Sequence, residues 1–149
     1  MAKLGASGLL LFLVVASGCT DPSEPSTISA AFELTDVDGL PLPVSAPPSV
    51  GLPGPTIISG SMSLDLASGA IITEDRRDSQ GSQYTFTSTY TYTIHGSYIG
   101  FIPATPCPPA AICTAPPIGE IVDNTLRVRL TYPPGYTFHV FTYQHIPRG

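Results

Sequence analysis

The stretch YTFTSTYTYTIH, Tyr84–His95, alternates strictly between two kinds of residue. Tyr84, Phe86, Tyr90, Tyr92 and Ile94 share one parity, broken only by Ser88, and Thr85, Thr87, Thr89, Thr91, Thr93 and His95 share the other. Successive side chains of an extended chain point to opposite faces, and aromatic and β-branched residues suit a pleated, half-buried surface. A helix would scatter the rings around its circumference. The spacing therefore predicts a long strand with its rings on the buried face.

The same period runs through the flanking sequence. Ile58, Met62, Leu64 and Leu66 form one face, with Gly60 among them, and Ala67-Ser68-Gly69 turns the chain into AIITEDRR. Asp78–Ser82 turns it again into the long strand, and Gly96-Ser97 leads to a returning strand, Tyr98–Ile102. Leu126, Val128, Leu130 and Tyr132 alternate with Arg127, Arg129 and Thr131, and Pro133-Pro134-Gly135 leads to a last strand, Tyr136–Ile146. Upstream, Ala30–Val37 reads as the first strand, ending at an Asp38-Gly39 turn. The expected fold is all-β, an antiparallel meander of about seven strands closing into a small barrel, because closure removes exposed strand edges. A two-sheet β-sandwich is the alternative. Pro41–Pro55 and Pro103–Pro117 carry six prolines each and are expected as surface loops without regular structure.

The leading segment has a different character. Lys3 gives a positive start, Leu9–Ala16 is an apolar run, and Ser17-Gly18 are small. That layout predicts a secretory signal peptide over residues 1–18, since the apolar run is too short to cross a membrane. Ala16-Ser17-Gly18-Cys19 resembles the lipobox of bacterial lipoproteins, with alanine where leucine is commonest. The resemblance implies cleavage before Cys19 and a lipid on its thiol; ordinary cleavage after a small-x-small site is the alternative. Residues 19–27 lack large apolar side chains and contain two prolines, the composition of an extended tether. The single β-domain is expected over 28–149, outside the cytoplasm, anchored to the cell membrane or the outer membrane on its periplasmic or surface side.

Cys107 and Cys113 remain, six residues apart in one loop. In an oxidising compartment they are expected to form a local disulfide; free thiols and a metal site are the alternatives, and two thiols without further ligands fall short of a four-coordinate site.

The net charge is −5, and a chain starting at Cys19 holds five arginines against eleven acids, a net −6. Phosphate binding needs clustered Lys and Arg, so a nucleic-acid partner is not expected. No catalytic or metal motif is present and no cofactor is expected. His139 and His145 should lie ~20 Å apart on one strand, at ~3.3 Å per residue, too far to share a metal ion. Asp36–Gly39 reads as a turn, and TEDRRDS, Thr73–Ser79, as an exposed, solvated hairpin. Tyr84, Tyr90, Tyr92 and Tyr98 are the candidate ligand-binding residues, because tyrosines inside a barrel offer apolar rings with polar tips; plain core packing is the other reading.

The order of parts, with VDGLPLP, ISGSMSLDLASGAI, YTIHGSYIGF and a closing aromatic strand, resembles small bacterial lipoproteins with a lipocalin-like β-barrel body, although the chain has no tryptophan. Many such proteins have no assigned activity, so the resemblance carries over no site residues; the expected function is a lipid-anchored binding or structural module at the cell envelope, not an enzyme. A carrier for a small apolar ligand is the alternative, and an envelope hydrolase the least favoured.

Overall fold

A computed structural model of the chain describes residues 26–46, 54–108, 115–132 and 137–147. The signal segment, Cys19, Cys113, and parts of the tether and of both Pro-rich loops lie outside the described residues.

The chain is all-β. Its strands are β1 (Ala30–Val37), β2 (Leu40–Pro41), β3 (Val44–Ser45), β4 (Thr56–Leu64), β5 (Gly69–Arg77), β6 (Gln83–His95), β7 (Tyr98–Pro103), β8 (Ile118–Val122), β9 (Thr125–Tyr132) and β10 (Thr137–His145). From β4 to β10 each strand pairs with the next, antiparallel. β1 then pairs with β10 on one side and β4 on the other, closing an eight-stranded barrel to which β2 and β3 are two-residue additions. Closure excludes the sandwich. The strand beyond the expected seven is β8, joined to β9 by an Asp123-Asn124 turn, with Asp123 at φ 54°.

Alternation builds the interior. Phe32, Leu34, Met62, Leu64, Ile72, Tyr92, Ile99, Phe101, Leu126, Val128, Phe141 and Tyr143 all turn inward and are buried. Two bulges re-phase it. Leu34 pairs with Tyr143 but Asp36 with Thr142, so Thr35 is the extra residue, and beyond it Val37 rather than Asp36 faces the core. On β4, Ile57 pairs with Arg76 but Ser59 with Asp75. Ile58 is the extra residue there, so Ile57, fully buried, takes the inward place expected for Ile58. Leu66 sits in the β4–β5 turn and is exposed. Gly60 lies where β1 crosses β4: a Cβ there would meet Leu34 Cδ2 at 2.9 Å.

The rings of β6 face inward as their parity requires, but the strand outruns its partner. β7 ends at Pro103, opposite Tyr90, so Tyr84 and Phe86 project beyond it and remain about two-fifths exposed. β1 pairs with β4 only through Ala30–Glu33, and the opening above is filled by the β2–β3 segment, which buries Ala46 and partly buries Leu42 and Val44. The Asp38-Gly39 turn forms as expected, with φ 54° and 78° in the left-handed region, joining Val37 to its partner Leu40.

The meander gathers its two longest connections at one end. At one end lie the tight turns at 65–68, 96–97 and 123–124, together with the incoming segment at Ser26, which exchanges backbone hydrogen bonds with Ile94 (2.9 and 3.2 Å). At the other end lie the strand ends that 38–55, 78–82, 104–117 and 133–136 connect. Both Pro-rich loops are thus at the loop end, and the chain enters at the turn end.

Candidate functional site

The site nearest to chemistry lies at the loop end, on β5. Ala70, Ile72, Glu74 and Arg76 continue one parity and all face inward, while Asp75 and Arg77 face out. The expectation of a solvated hairpin over Thr73–Ser79 is therefore corrected: Glu74 is 2% exposed and Arg76 9%. The turn begins only at Asp78, and the signal that finds the pair is the parity inherited from Ile72.

Arg76 Nε donates to Glu74 Oε2 at 2.8 Å, and its Nη2 lies 2.7 Å from the same oxygen. Two residues apart on one strand, the pair can meet without bending the backbone. The guanidinium also lies over the Phe86 ring, 4.1 Å from its centroid. This cation–π contact is worth ~1–2 kcal/mol when desolvated. A pocket of about 200 Å³ opens beside the pair, walled by Ile72, Phe86, Tyr90 and Leu130 and edged by Pro117 from the long loop. Glu74 offers a carboxylate, Arg76 a guanidinium, and Phe86 and Tyr90 flat apolar faces. Such a pocket can hold a small polar group against aromatic walls; pockets for drug-sized ligands run ~300–1,000 Å³.

The structure distributes the four candidate tyrosines. Tyr90 is half-buried in the pocket, its ring edge-on to Phe101 at 5.9 Å. Tyr84 sits above it, opposite Arg76. Tyr98 is outward-facing and 67% exposed. Tyr92 is buried at the turn end: its hydroxyl accepts from the Ile28 N–H at 2.8 Å and lies 2.6 and 2.8 Å from the Ile28 and Asp65 carbonyls. Burial pushes this phenol up, and the nearby Asp65 carboxylate adds to that, against the hydrogen bond to Ile28. Tyr92 thus pins the incoming chain to the β4–β5 turn. Between it and the pocket the interior is filled by Phe101, Met62, Leu126 and Phe141.

The histidines lie apart. His95 is on the outer wall at the turn end, and His145 packs edge-on against Phe32 at 5.5 Å. His139, at the loop end, places Nδ1 2.6 Å from Asp38 Oδ2. Asp38 Oδ1 also accepts from the Val140 N–H at 2.7 Å. Burial raises the Asp38 carboxyl, but the hydrogen bonds from His139 and Val140 outweigh it and hold it below the ordinary value. On the outer wall, Ser59 and Thr85 each donate to Asp75 at 2.8 Å and lower its carboxyl likewise. Among the described residues no cluster of three or more His, Cys, Asp or Glu side chains could hold a metal ion. Cys107 is exposed in the long loop. In comparisons with known proteins, no family model, no curated protein and no solved structure matches the chain.

Proposed function

We propose that this chain is a lipid-anchored cell-envelope lipoprotein, held through Cys19, whose lipocalin-like barrel acts as a binding module with its loop end turned away from the membrane. The observation that carries the reading is the sorting of connections: the chain enters at the turn end, where Ser26 bridges to Ile94, and the long loops and the Glu74–Arg76 pocket occupy the opposite end. A tether at one end and recognition loops at the other is the arrangement that a membrane-held binding module needs. Each acyl-chain methylene buried in the membrane contributes about 0.8 kcal/mol, so two or more chains hold the protein stably where one does not.

The filled interior favours this reading over a carrier for an apolar ligand, and the dispersal of the three histidines favours it over a hydrolase. The outer wall carries Glu33, Asp75, Arg77, Glu120, Arg127 and Arg129 alongside the β6 threonines, with exposed Ile71, Tyr98, Ile102 and Ile118 among them. A disulfide between Cys107 and Cys113 belongs to the same reading: with Cys19 lipidated, the other two cysteines pair and pinch the Pro-rich loop.

Mass spectrometry of the amino-terminal peptide from cells tests the anchor. A diacylglyceryl-modified Cys19 is expected, and an unmodified Cys19 or another start overturns it. Thiol labelling of the native, unreduced protein tests the disulfide: no label is expected at either cysteine, and two reactive thiols refute it.

A further inference from the structure

A second surface lies on the barrel wall at the turn end, away from the mouth pocket. Two rows of side chains cross neighbouring strands there. One runs Thr93, Gly100, Ile118, Arg129, Val140; the other runs His95, Tyr98, Glu120, Arg127. They enclose an open groove of about 580 Å³. Its floor is Gly100: the nearest atom to a Cβ placed there is Thr93 Oγ1, at 3.9 Å, so the missing side chain leaves a dent in the wall.

Three features of the groove point to one chemistry. Tyr98, at the rim, is 67% exposed, and Ile118 across the dent is 54% exposed, so an apolar shelf borders the dent on two sides. Arg127 and Arg129 stand on one face of β9, ~7 Å apart and ~10 Å across the sheet from Tyr98 at ordinary strand spacings. Among the described residues the close pairings of a basic with an acidic side chain are Glu74–Arg76 and the Asp38–His139 contact, and neither arginine belongs to them. Glu120, directly opposite Arg127, offers a hydroxyl acceptor between shelf and cations, with Thr93 and His95 at the far edge.

We propose that this groove binds a carboxylate-bearing sugar unit of an acidic polysaccharide. The pyranose stacks its apolar face on Tyr98 over the Gly100 dent, and its carboxylate meets Arg127 and Arg129, whose forked N–H groups match a carboxylate. Two arginines against the one carboxylate of Glu120 leave the groove a net charge of +1 (2 − 1) in a chain that is otherwise acidic, and the ligand's carboxylate is placed on the arginine side, away from Glu120. The wall is continuous hydrogen-bonded barrel, with no unpaired strand edge here for an extended peptide to join.

Titration of the full-length protein with tetragalacturonate, its methyl ester and a tetraglutamate peptide tests the assignment. Saturable tetragalacturonate binding is expected, at least tenfold tighter than that of the ester or the peptide. Arg127→Gln with Arg129→Gln should weaken it at least tenfold, and so should Gly100→Val, which fills the dent where there is room for a side chain. Tyr98→Ala, on an exposed side chain, removes the shelf without touching the core and should do the same. Arg77→Gln, on an exposed side chain at the loop end of β5 and outside the groove, should leave it unchanged. Absence of tetragalacturonate binding, equal binding of tetraglutamate, or binding indifferent to the groove variants overturns the proposal, while leaving the mouth and the anchor to their own tests.

Discussion

Removing Arg76 is the sharpest perturbation of the barrel mouth. Arg76→Met keeps much of the side chain's length and loses its charge. The Glu74 side chain, 2% exposed, would then be a buried carboxylate without the guanidinium that now lies 2.7–2.8 Å from its Oε2. Breaking one side of a buried ion pair costs about 3–5 kcal/mol. The pair borders an open pocket, which places the expectation near the lower end, ~3 kcal/mol, with loss of the Phe86 contact inside that figure. For a domain of this size each kcal/mol is worth ~4 °C in Tm, so a fall of ~12 °C is expected. Replacing both members, Glu74→Leu with Arg76→Met, removes the unpaired charge and should return to within ~1 kcal/mol of the parent. Urea unfolding followed by circular dichroism and tyrosine emission would measure all four corners of the cycle, since the chain has no tryptophan. A single Arg76→Met costing under ~1 kcal/mol, or a double variant no more stable than the two single losses added together, would refute the burial and coupling of the pair.

Three further outcomes are expected. Tyr92→Phe leaves the Ile28 N–H and two carbonyls without their partner and should cost ~1–3 kcal/mol, with faster amide exchange confined to Ile28 and the β4–β5 turn; unchanged stability would contradict the pinning role. Gly119→Ala should destabilise by ~1–3 kcal/mol, because its Cβ would meet the Arg127 carbonyl and Ile99 Cγ2 at 2.9 Å, whereas Gly100→Ala should be neutral or better; equal effects in thermal melts would contradict the packing. Asp38 sits below its ordinary value of 3.8 in the folded chain, so its contribution to stability is complete above that value and lost as pH falls through the lower, folded one. Asp38→Asn should therefore flatten the acid limb of the stability profile below about pH 4, and an unchanged limb would contradict the assignment.

Much of the barrel was legible from period two alone. The Tyr84–His95 strand, the hairpin around Gly96-Ser97 and the Asp38-Gly39 turn stand where alternation and turn chemistry put them. The bulges at Thr35 and Ile58 were not legible, because an extra residue is set by the partner strand's register and leaves no local mark. β8 was missed because Ile118–Val122 follows a Pro-rich run and is interrupted by Gly119, which packs against the Arg127 carbonyl. The exposure of Tyr84 and Phe86 depends on where β7 stops, a property of another segment. Glu74 and Arg76 are the instructive case: charge type argued for solvent, while the parity running from Ala70 through Ile72 placed both inside. Period outweighed polarity because the two charges neutralise each other and Phe86 covers the cation.

In the proposed arrangement the barrel is held by its turn end and presents its loop end outward. Single fluorophores at Ser97, in the β6–β7 turn, and at Ser79, in the β5–β6 turn, would report it in the mature lipidated protein on vesicles carrying spin-labelled lipids. β6 alone spans ~30 Å along the barrel axis, allowing for strand tilt, so the two positions differ greatly in height above the bilayer. Strong quenching at Ser97 with little at Ser79 is the predicted result; equal quenching, or stronger quenching at Ser79, would contradict the account.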